Sequence, residues 1–183
     1  MLRLSCRRVI PVSIAIAALG LATAPAIHAQ ATEQTAPTAD MTCSLIAEGA
    51  LSPPIQPVTS GEKRPASFNG KDGTAACSGT IDGQSIDTTS AGSWGVNADS
   101  DNPINCGSLT EGITGDGTSK ITVTTIDGQQ KSHTTSFDFE VVGGAVTISN
   151  GLDGAGSFQP TEGDCVTEAM ERARVEFEVT TSS

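Results

Sequence analysis

Apolar and polar residues alternate with a period of two through much of the chain, and outside one short stretch no helical period develops. The clearest run lies near the end, where Ala173, Val175, Phe177 and Val179 interleave with Arg172, Arg174, Glu176 and Glu178. That spacing predicts a strand with one face in a core and the other in water. Ser136 to Val141 alternates in the same way, Ile121, Val123 and Thr125 mark a third strand, and Val146 with Ile148 a fourth. Between these runs stand Asp82-Gly83, Asp127-Gly128, Gly143-Gly144 and Asn150-Gly151, pairs that reach positive φ cheaply and so suit tight hairpins. Strands and turns at this rhythm predict an all-β fold, a single antiparallel β-barrel or β-sandwich of about eight strands.

The remainder reads less regularly. Residues 52–67, with Pro53, Pro54, Pro57 and Pro65, are expected to form a long irregular loop, and Asn97 to Asn105 another. Gly115-Asp116-Gly117 reads as a turn, and Glu168 to Arg172 as one helical turn before the last strand. Thr80-Ile81-Asp82-Gly83-Gln84 recurs as Thr125-Ile126-Asp127-Gly128-Gln129. The flanks do not repeat in register, so this is one hairpin chemistry used twice.

The front of the chain changes the picture of where this domain works. Arg3, Arg7 and Arg8 precede an almost uncharged apolar run from Val9 to Ala26, and small residues lead to Ile27-His28-Ala29 before Gln30. Residues 1–29 thus read as a secretory signal peptide cleaved after Ala29. Pro11, Gly20 and Pro25 interrupt the run and make it a poor transmembrane span. Cys6 stands in the charged start, away from the cleavage site, which disfavours a lipid anchor. Residues 30–40, rich in Ala, Thr, Gln and Pro, read as a disordered spacer, and 41–183 as the exported β-domain. After cleavage no transmembrane segment is expected.

Cleavage would remove three of ten basic residues and no acidic one, leaving 7 − 21 = −14. Such a surface has no basic patch to displace counterions, so nucleic acid and anionic lipid are excluded as partners. Four cysteines would remain, Cys43, Cys77, Cys106 and Cys165, an even number that predicts two disulfides in an oxidising compartment. Their wide spacings lack the close ligand pairs of a zinc site. Of the three possible pairings, Cys77–Cys106 with Cys43–Cys165 is the expectation, because the second bridge would tie the domain's start to its last strand.

Candidate chemistry is sparse. His133 would be the only mature histidine, set beside a turn among Lys131, Ser132 and Thr134, and no Gly-x-Ser-x-Gly elbow exists. With one tryptophan and no tyrosine, a carboxylate pair would lack the aromatic platforms of a glycosidase. Asp99-Ser100-Asp101-Asn102 begins like a calcium loop, but Pro103 and Ile104 break it. No metal or cofactor is expected, and the chain reads as non-catalytic. Two binding candidates remain. Trp94 in Ser93-Trp94-Gly95-Val96 either fills the core, the commoner use, or offers its ring at a barrel mouth. The segment Pro53-Pro54-Ile55-Gln56-Pro57 reads as a preorganised exposed loop able to seat on a partner, as protease inhibitors do.

Ala76-Cys77-Ser78-Gly79-Thr80, read as the start of a strand, and Gly163-Asp164-Cys165-Val166-Thr167 before the last strand resemble motifs of small secreted β-rich proteins of actinobacteria. The chain is more loosely similar to β-rich envelope antigens of mycobacteria. The resemblance covers residues 74–180 and implies secretion, with an unknown extracellular or envelope partner. It implies no activity. The leading expectation is a binding or structural domain at or outside the cell envelope, ahead of a protease inhibitor or small-ligand binder, and then an enzyme.

Overall fold

The computed structural model describes residues 38–181, and the expected signal peptide and most of the expected spacer lie outside them. Nine strands form one antiparallel sheet: β1 (Ala39–Ile55), β2 (Ser67–Ile81), β3 (Gln84–Ser85), β4 (Gly92–Ser100), β5 (Ile113–Thr124), β6 (Gln130–Val142), β7 (Ala145–Ser149), β8 (Asp153–Glu162) and β9 (Met170–Thr181). A 3₁₀ turn at Val58–Ser60 and the short helix α1 (Ser108–Glu111) complete the elements. Apart from the two-residue stub β3, each strand lies beside its sequence neighbours, and β1 pairs with both β2 and β9. The result is an eight-stranded up-and-down barrel, the closed one of the two expected β architectures, and closure removes the exposed edges an open sheet would leave.

The four hairpin pairs turn the chain as their composition requires. Asp82, Gly83, Gly143, Gly144, Asn150 and Gly151 all have positive φ, as does Gly128. The period-two strands also sit as read: Ala173, Val175, Phe177 and Val179 face the core, while Glu178 faces solvent. Register breaks between Ile46 and Gly49 on β1, and between Gly70 and Gly73 on β2, mark bulges that add the curvature a closed ring needs.

Several expectations are corrected. Pro53, Pro54 and Ile55 belong to the end of β1, where Ser52 pairs with Ser67 and Ile55 with Met170. The prolines are tolerated because β1 breaks its pairing with β9 between Ala50 and Ile55, so their missing N–H groups interrupt no ladder there. Strand β1 also begins at Ala39, inside the expected spacer. Asn97 to Ser100 continue β4, and Gly115-Asp116-Gly117 lies within β5. Ala76 to Thr80 closes β2 instead of opening it. No helical turn forms at Glu168–Arg172. Asp164 instead accepts the backbone N–H groups of Val166, Thr167 and Glu168, holding a compact loop, and Met170 already begins β9.

The disulfides differ from the expected pairing as well. Cys43 and Cys77 stand opposite each other on β1 and β2, 4.1 Å apart at Cα, so sheet register imposes that bridge. Cys106, just before α1, joins Cys165 in the β8–β9 loop. Both loops lie at the same end of the barrel, here termed the α1 end.

Candidate functional site

The barrel interior is shaped by a partnership between rings and glycines. On β5 the inward positions after Ile113 are Gly115, Gly117 and Ser119, and across the ladder on β6 stand Phe139 opposite Gly115 and Phe137 opposite Gly117. A methyl group added to Gly117 would lie 2.6 Å from the Phe137 ring, and one on Gly115 would lie 2.6 Å from Phe139. Gly156 on β8 likewise faces Phe177 on β9. Small residues on one strand thus let rings from the next fold over the interior.

Those rings converge. Phe68, Phe137, Phe139, Phe158 and Phe177 are all the phenylalanines of the chain, and all five line one cavity of about 70 Å³ in the α1 half of the barrel. Leu51, Ile55, Val96, Ile104, Leu109, Ile113, Val141, Val146 and Val175 supply most of the remaining wall. Among the described residues, Ser100 contributes the only hydroxyl, and it is already engaged: Oγ accepts the Ala66 N–H at 3.0 Å and donates to the Asn102 carbonyl at 3.0 Å. Phe68 and Phe158 meet edge to face, centroids 6.3 Å apart.

Trp94 lies at the inner end of this site, not at a mouth. It is 2 % exposed, packs edge-on against Phe177 at 5.7 Å, and its Nε1–H donates to the buried Ser119 hydroxyl at 2.9 Å. Of the proline-rich candidates, Ile55 lines the cavity, whereas Pro53 and Pro54 are half-buried at the end of β1 and do not. The structure therefore brings Ile55 into the site and leaves Trp94 one ring away. Sequence reasoning missed the phenylalanines, whose common destination depends on register. The one local trace is that three of them, Phe137, Phe139 and Phe177, stand on strand positions of inward parity.

The α1 end roofs the cavity. Ile104 and Leu109 from the segment around α1 reach its wall, and Cys106–Cys165 fastens that segment to the β8–β9 loop. The Leu109 carbonyl also accepts the Gly143 N–H at 2.6 Å. Ser100, Leu109, Phe139 and Phe158 are half-buried, whereas Val96, Phe137 and Val175, further in, are 3–4 % exposed.

The other candidates stand apart from this site. His133 sits on the inward face of β6 toward the opposite end, beside Lys131, whose ammonium is 3.4 Å from Asp82. Burial pushes the imidazole pKa below its ordinary value while Asp82 opposes that shift, and Nδ1 has no hydrogen-bond partner among the described residues. Asp99 accepts the Ser67 hydroxyl and Asp101 the Thr114 hydroxyl at 2.7 Å. Among the described residues, no group of three or more His, Cys, Asp and Glu side chains is placed to hold a metal ion, and no helix is long and apolar enough to cross a membrane.

Fold and site together define a closed antiparallel barrel with an apolar, aromatic-lined interior at one end. Comparison with protein-family models, curated proteins and solved structures finds no match.

Proposed function

We propose that this chain is an exported, non-catalytic binding domain that works at or outside the cell envelope and holds a small apolar ligand in its phenylalanine-lined cavity. One observation carries the reading: all five phenylalanines, from four different strands, are gathered around a single unfilled space. Eight-stranded barrels have interiors just wide enough to be packed solid or to hold one small ligand. Close packing is the rule for protein cores, so a cavity walled by rings and backed by glycines is a costly arrangement if it serves packing alone. The two disulfides suit an oxidising exterior, which supports export.

The protease-inhibitor reading loses its main support, since Pro53 and Pro54 lie in a strand and not in a projecting loop. The test is native mass spectrometry of protein recovered from its producing cells, with Ala98→Leu and Val146→Phe as two independent cavity-filling variants. The expected result is a released apolar molecule with the natural chain and none with either folded variant. A ligand retained by both variants, or a cavity that takes up no apolar compound at all, would overturn the reading.

A further inference from the structure

Resting on that reading, we infer that the ligand is a single-chain, lipid-like amphiphile, whose hydrocarbon tail enters tail-first at the α1 end and points toward Trp94 while its polar end stays outside.

Size argues for a chain. Val96, Ala98 and Ser100 are successive inward positions of β4 that line the cavity, and four residues of strand span about 13 Å. The volume they help enclose is about 70 Å³. It is about half of the roughly 150 Å³ that admits benzene in an engineered cavity. A compact ring therefore exceeds the space, whereas the first few carbons of an alkyl chain fill it. The wall argues for hydrocarbon, because the Ser100 hydroxyl donates to Asn102 and leaves the lining no free donor. A polar or charged group drawn inside would lose its water without replacement.

Direction follows from the two ends of the site. Inward, Trp94 and Phe177 close it edge to face, and both are buried. Outward, the half-buried wall residues lie toward α1. There, three of the four exposed large apolar side chains among the described residues, Val58, Val142 and Val166, flank the α1 segment. Val58 borders Gly107, Val142 borders Gly112, and Val166 follows Cys165, the disulfide partner of Cys106. These three apolar side chains stand at the end of the barrel where a hydrocarbon tail would enter.

Trp94, the only tryptophan, reports on the arrangement directly. The test titrates the disulfide-intact protein with neutral straight-chain 1-alkanols and with bromoalkanols brominated at the terminal carbon or beside the hydroxyl, reading tryptophan fluorescence. Expected are a gain in affinity of roughly fourfold per added methylene, a plateau once the chain fills the cavity, and quenching by terminal bromine only. Equal quenching by both isomers, or stronger quenching by bromine beside the hydroxyl, overturns the tail-first direction. Uptake of benzene or indole without uptake of alkanols overturns the ligand class while leaving the binding reading intact. Uptake of neither by protein with native near-UV circular dichroism overturns both.

Discussion

A ring needs somewhere to lie, and in this molecule the place is usually a glycine on the next strand. A methyl group at Gly117 would sit 2.5 Å from the Asn97 carbonyl as well as 2.6 Å from Phe137, so either backbone or ring must move. Gly117→Ala is expected to lower stability by about 1–3 kcal/mol, read from urea midpoints. Gly95→Ala is the control, since its nearest neighbour would be the Gly70 carbonyl at 4.0 Å. It should change stability by no more than about 0.5 kcal/mol. Trp94→Phe removes the only partner, among the described residues, of the buried Ser119 hydroxyl. A loss of about 1–3 kcal/mol is expected, part of it restored by adding Ser119→Ala. His133 gives the pH dependence its sign. Its folded pKa is depressed below 6.5 by burial, so the unfolded chain takes up a proton that the folded chain refuses. Stability is full above pH 6.5 and declines as pH falls from there toward the folded value. His133→Gln should flatten that slope in denaturation midpoints measured between pH 7.5 and pH 5.

Strands and loops show how far the sequence could be read. The alternation of β9 and β6 and the four hairpin pairs were legible because strand period and turn chemistry are local. Strand β5 was only half legible: Ile121 and Val123 announce it, but Gly115 and Gly117 imitate a turn because their inward positions are reserved for rings of β6. The end of β1 was hidden behind its prolines, and the pairing of Cys43 with Cys77 follows only from knowing which strands meet. The cavity was illegible for the same reason, since its five rings are assembled by register and not by spacing. The β8–β9 loop offers a test at this scale. Asp164 accepts three backbone N–H groups and the Thr167 hydroxyl, and these bonds hold its carboxyl far below the usual carboxylate range, the Glu168 N–H contributing most. The stabilisation is complete above the unfolded value of 3.8 and is lost only as pH falls toward the much lower folded value. Asp164→Ala should speed amide exchange at residues 166–168 near neutral pH while the exchange of β5 is unchanged.

Two bridges and one ring closure hold the whole molecule. Cys106–Cys165 spans 59 positions and ties the roof of the cavity to the last hairpin. Replacing both cysteines by serine should cost up to about 4 kcal/mol and speed the exit of a bound alkanol in stopped-flow fluorescence, as the roof loses its fastening. The ring itself closes where β1, already zipped to β2, takes β9 as its second neighbour; the Met41 N–H donates to the Thr181 hydroxyl across 140 positions. Contacts between such distant residues form late, because loop-closure entropy must be overcome before they reward it. A chain stopped before Met170 is accordingly expected to show no native near-UV signal. For a protein threaded through a narrow export channel amino end first, that late contact acts as a timer. Under the proposed export, the chain would stay slack enough to pass until its final strand had crossed, and would lock into shape on the far side.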